Sequence, residues 1–116
     1  MKRSFSTKQT QFYKENDVWV LSFAGSVESI SENYVILSRT CFPEEDKELG
    51  PYIESSFSVN GYDVLSSITI EEHKIILHLR DKKIHCLEIL FDDSEQINNL
   101  KQVITKIVST NLESNP

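Results

Sequence analysis

The hydrophobic period of this chain changes once, at Asp92-Asp93, and that change limits what it can fold into. Up to Phe91 apolar residues recur in twos, the spacing of a strand with one buried face. After it Ile97, Leu100, Val103, Ile104, Ile107 and Val108 recur in threes and fours, the spacing of one helical face. A chain ordered in this way buries a sheet against one late helix. The spacing predicts a helix from about Ser94 to Thr110. Asp93 suits its N-cap, with Gln96 completing a capping box, and Asp92 with Glu95 would serve equally.

Seven segments before that point carry strand signals: Ser4–Tyr13, Val18–Phe23, Tyr34–Thr40, Tyr52–Val59, Tyr62–Ile70, Lys74–Arg80 and Ile84–Phe91. Turns are expected at Lys14-Glu15-Asn16-Asp17 and Glu71-Glu72-His73. Asn60-Gly61 is the strongest two-residue hairpin signal in the chain. At Asp81-Lys82-Lys83 the register can be argued, because a slip of one residue turns a strand over. A three-residue loop sets Arg80 opposite Ile84, so Ile75, Leu77 and Leu79 share a nearly all-apolar face with His85, Leu87, Ile89 and Phe91. A two-residue loop would mix the first three with Cys86 and Glu88, so the three-residue register is preferred.

The fold class that follows is α+β and mainly β. It is an antiparallel curled sheet or partial barrel of about six to seven strands, with one C-terminal amphipathic helix packed on it. With 116 residues and no linker or repeat, residues 1–111 read as one globular domain and 112–116 as a disordered tail. The strand-rich, helix-last order resembles the pleckstrin-homology superfold, a likeness of element order that carries no function.

Charge narrows the function. Acids outnumber bases 18 to 12, which disfavours a nucleic-acid backbone or an anionic membrane as partner. The imbalance is local: residues 15–72 hold 12 acids against Arg39 and Lys47, whereas residues 1–14 hold Lys2, Arg3, Lys8 and Lys14 with no acid. The basic start has no apolar run behind it, so no signal peptide is expected and a cytoplasmic location is. Cys41 and Cys86 read as two ordinary buried thiols.

Chemistry-bearing residues are few. The preferred register puts His78 opposite Cys86, and an imidazole beside a thiol is the minimum for a Cys–His nucleophile or half a zinc site. A small hydrolase or nuclease using His78 with Cys86 or His85 is therefore the alternative function. No C-x-x-C or H-x-x-x-H spacing supports a metal, and His85 and His73 read as a core-facing row and a turn. Ser55, Ser56, Ser58, Ser66 and Ser67 stand outside any G-x-S-x-G context and read as solvent-face strand residues. Three scattered glycines make no phosphate-cradling loop, so no cofactor is expected.

The most informative stretch is Thr40–Pro51, a long connection for so small a chain. Glu44, Glu45, Asp46 and Glu48 surround Lys47, with Phe42 and Tyr52 beside them and Glu54 just beyond. Aromatic anchors next to an acidic rim suit capture of a basic protein, charge setting association rate and aromatics supplying affinity. From Tyr34 to about Phe91 the chain also resembles the bacterial immunity protein 10 family, antidotes to polymorphic or contact-dependent inhibition toxins. The residues that carry this are Tyr34-Val35-Ile36-Leu37-Ser38-Arg39, the loop with Glu45-Asp46 and Glu48-Leu49-Gly50, the start Tyr52-Ile53-Glu54, and the Ile75–Leu79 strand with its turn. The resemblance implies a non-enzymatic cytoplasmic protein that binds and blocks one cognate toxin domain. With an acidic surface, that toxin is expected to be cationic, of nuclease type. A generic protein-binding adaptor is the fallback within the binding class.

Overall fold

The computed structural model describes residues 2–25, 33–40 and 51–112. These form strands β1 (Lys2–Ser6), β2 (Gln9–Glu15), β3 (Val18–Ala24), β4 (Tyr34–Thr40), β5 (Tyr52–Ser55), β6 (Leu65–Ile70), β7 (Lys74–Leu79) and β8 (Cys86–Leu90), then helix α1 (Ser94–Leu112). The chain is mainly β with one C-terminal helix, and its strands divide between two four-stranded sheets that do not close into a barrel. The first sheet has the order β1-β8-β7-β6 and the second β2-β3-β4-β5. Every neighbouring pair is antiparallel except β1 with β8, which is parallel.

The expected single strand Ser4–Tyr13 is two strands, one in each sheet. Thr7 N–H donates to the Leu90 carbonyl of the first sheet at 2.9 Å, and Lys8 N–H to the Ala24 carbonyl of the second at 2.7 Å. The Thr7 hydroxyl is shared between the Ala24 and Gln9 carbonyls at 3.2 and 3.1 Å. Phe5 and Phe12 are seven residues apart, so an unbroken strand would point them to opposite faces. The change of sheet lets Phe5 enter the core and Phe12 pack against it. That is why the alternation in this segment is weak.

The turn after β2 is tighter than expected. Only Asn16 and Asp17 leave the ladder, both with positive φ (51° and 64°) as a two-residue primed hairpin requires. The Asn60-Gly61 hairpin is corrected outright: β5 ends at Ser55, and the next strand belongs to the other sheet. Ser55 is responsible, since its buried Oγ accepts from Phe57 and Val59 N–H (3.3 and 3.2 Å) and donates to the Val59 carbonyl at 2.8 Å. Asn60 Oδ1 takes the Ser55 N–H at 2.9 Å, so Asn60 acts through its side chain instead of as a turn residue. Ser55 is thus a buried loop staple, not a solvent-face residue. Further on, an irregularity between Leu65 and Ser67 keeps Leu65 and Ile68, three apart, opposite Leu79 and Leu77 on one face.

The β7–β8 pair has the three-residue register, with Ile75 opposite Ile89, Leu77 opposite Leu87 and His78 opposite Cys86. Its loop is fixed by Asp81, whose carboxylate accepts from Lys83 and Ile84 N–H at 2.9 and 2.8 Å. His85 is not core-facing: pairing begins at Cys86, and in the loop before it Ile84 turns inward while His85 is exposed. The inward faces of both sheets share one core with Ile97, Leu100, Ile104 and Ile107 of α1, including an edge-on contact of Phe23 with Phe91 at 6.0 Å. Asp93 caps the helix, its Oδ1 accepting from Glu95 N–H at 2.9 Å, while Asp92 pairs with Lys8 at 3.2 Å. Arg39 points inward at 3% exposure and donates from Nη1 to the Ile107 carbonyl at 3.2 Å. None of the described helices is long and apolar enough to cross a membrane.

Asp93→Ala should lower the free energy of unfolding by about 1 kcal/mol, read as a lower urea midpoint at unchanged slope. Asp81 offers a pH test. The Ile84 and then the Lys83 N–H bonds hold its carboxyl below the ordinary value of 3.8. A depressed folded value means that the contribution is complete above the unfolded pKa and lost as pH falls through the folded one. An NMR titration should therefore place Asp81 below 3.8 in the wild type; a value at or above it would contradict the turn geometry.

Candidate functional site

The β5 strand lies at the edge of the second sheet, and its register decides which of its side chains are available. Tyr52 stands opposite Ser38 and Glu54 opposite Ile36, whereas Ile53 and Ser55 between and beyond them are buried. Tyr52 and Glu54 therefore share the outward face. Two backbone bonds between Ile53 and Gly61, at 3.0 and 2.8 Å, hold the following turn against β5. Gly61 has φ of 136°, a conformation strained for any side chain, so this approach depends on glycine. The turn delivers Tyr62 edge-on to Tyr52, ring centroids 4.9 Å apart, and Tyr34 hydroxyl reaches Glu54 Oε2 at 3.4 Å. The result is a cluster of three tyrosines and one carboxylate at the sheet edge.

Of the residues singled out from sequence, Tyr52 and Glu54 are brought together here. Phe42, Glu44, Glu45, Asp46 and Glu48, with Cys41, lie outside the described residues. Tyr34 and Tyr62 belong to the same cluster and were not marked as site residues. In the sequence Tyr34 only continues a strand alternation, and Tyr62 joins Tyr52 because Asn60-Gly61 is not a hairpin.

The two outward faces differ in charge. Register places Gln9, Gln11, Tyr13 and Glu15 of β2 outward, with the even-numbered residues of β3, β4 and β5. These positions include Glu15 and Glu54 and no lysine or arginine. Arg39 is turned to the core, and Lys14, on the other side of β2, holds its Nζ 5.6 Å from the Trp19 ring centroid. The first sheet instead presents Lys2 and Lys74, which reach Glu88 Oε2 at 3.5 and 3.4 Å. The Glu88 side chain is 11% exposed under them.

The histidine candidates are placed on the first sheet. His78 pairs in register with Cys86, a half-buried free thiol. Its Nε2, however, is 2.8 Å from Thr69 Oγ1, a bond that orients the ring along the β6 side. His85 is exposed on the loop, and His73 lies in the turn with Nε2 3.5 Å from Glu72. Among the described residues no group of three or more His, Cys, Asp or Glu could hold a metal ion.

Compared with protein-family models and with curated proteins, the chain finds no match.

The Thr69 bond gives a direct check on thiol activation. A histidine that activates a thiol raises its alkylation rate near neutral pH by stabilising the thiolate. His78→Ala should leave the iodoacetamide rate of Cys86 within about twofold of wild type across pH 6–9. A loss of about tenfold or more would mean that the imidazole does serve the thiol.

Proposed function

We propose that this protein is a non-enzymatic immunity protein that binds and neutralises a cognate, cationic toxin domain through an acidic surface. The observation that carries the reading is the second sheet's outward face, where Tyr34 reaches Glu54, Tyr52 meets Tyr62, and the outward strand positions hold no lysine or arginine. Clustered tyrosines supply contact area at low entropic cost, and uncompensated carboxylates attract a basic partner. The acidic segment with Phe42, Glu44, Glu45, Asp46 and Glu48 joins β4 to β5 and so enters and leaves the sheet beside Tyr52. The resemblance to the immunity protein 10 family, carried by Tyr34–Arg39 and the segment after it, points the same way. Such a surface mimics the polyanion that a nuclease-type toxin must attract.

The second reading, a small hydrolase or nuclease, draws on the register pairing of His78 with Cys86. A His78→Ala protein with undiminished biological activity would end it.

The decisive test is co-expression with the C-terminal domain encoded immediately upstream. Wild type should restore growth to cells making that domain and bind it one to one; failure of both would overturn the reading. Changing Glu44, Glu45, Asp46 and Glu48 together to lysine should slow association by about tenfold or more at low salt and flatten its salt dependence. An unchanged rate and salt slope would remove that segment from the interface.

A further inference from the structure

The register of the second sheet lines up one transverse row across all four strands: Tyr13 opposite Val20, Val20 opposite Ser38, Ser38 opposite Tyr52. Tyr62 continues the row, its ring 4.9 Å from that of Tyr52. Tyr13 and Tyr62 are the exposed large hydrophobic residues of the described chain, at 44% and 49%, and they stand at the two ends of this one row. They are 49 positions apart in sequence and come from different edges of the sheet. The neighbouring row, Gln11, Ser22, Ile36 and Glu54, adds a half-buried apolar centre and a carboxylate. Glu15 lies on the opposite edge strand from Glu54, so both edges of the face carry negative charge.

We infer that the whole outward face of the second sheet, from Tyr13 across to Tyr62, is a docking surface for a basic protein partner. The inference rests on the immunity reading and extends it from the β5 edge to all four strands. Charge selects the occupant. A second copy of this chain would set carboxylates against carboxylates with no outward lysine or arginine to pair them, whereas a basic surface meets both edges favourably. The tyrosine row is then the anchor and the carboxylates the steering charge.

The test measures binding of the full chain to the toxin domain encoded immediately upstream, by calorimetry at moderate salt. The double variant Tyr13→Ala/Tyr62→Ala removes two exposed rings without touching the core and should weaken binding by about 30-fold or more. Ser38→Arg, at the middle of the row, should do the same. Ser4→Arg, exposed on the outward face of the first sheet opposite Glu88, should stay within about twofold, as rim or remote positions do. If the wild type binds and the three variants bind equally well, or lose affinity equally, the docking face is wrong while the immunity reading stands. If the wild type binds no such domain, the immunity reading falls and this inference falls with it. Sedimentation completes the set: a wild-type dimer that Ser38→Arg converts to monomer would put a second copy on the face and overturn the basic partner.

Discussion

The arrangement depends on one short stretch of backbone, Thr7-Lys8, where the chain passes from one sheet to the other. Thr7 gives its N–H to β8 and the next residue gives its N–H to β3, so the two ladders meet within a single peptide. The hydroxyl of Thr7, buried with its residue, closes the junction on the Ala24 carbonyl. Because β1 and β2 are thereby edge strands of different sheets, the hydrophobic sides of both sheets face one interior. Helix α1 adds its stripe to that same interior. Without the change of sheet, Phe5 and Phe12 could not both be directed inward.

Having committed its apolar residues to that interior, the chain is left with two outward faces of different character. On the first, Lys2 and Lys74 fold over Glu88 and neutralise it, a closed arrangement of exposed amines over a mostly covered carboxylate. On the second there is no such pairing between outward cations and carboxylates, since Arg39 is turned inward to the Ile107 carbonyl and Lys14 lies against Trp19. Of the acids in residues 15–72, Glu15 and Glu54 stand on that outward face, at its two edge strands. Local geometry adds the aromatics: the Ser55 staple and the Ile53–Gly61 bonds bring Tyr62 to Tyr52.

Much of this was legible in residue order alone. The β7–β8 register was readable because six apolar side chains fall on one face in only one alignment, and burial enforces that alignment. The Asp93 cap was readable because an N-cap is a local hydrogen bond next to a period change. The Asn60-Gly61 reading failed for a reason of the same kind. Asn-Gly favours a primed turn between paired strands, but Ser55 and Asn60 side chains bonded the backbone first, and the flanking strands belong to different sheets. His85 failed because alternation was carried past the end of the ladder, where the Asp81 turn rotates Ile84 inward instead.

What the sequence determined by itself is therefore local: the period of each segment, the register of the one hairpin with an unambiguous apolar face, the helix start, and the acidic excess of the middle. These depend on neighbours a few residues away. What only the tertiary structure decided is which strands share a sheet, and hence that Tyr13, Val20, Ser38, Tyr52 and Tyr62 form one row. Pairing between distant strands is set by how all the inward faces fill one core together, and no single segment contains that information.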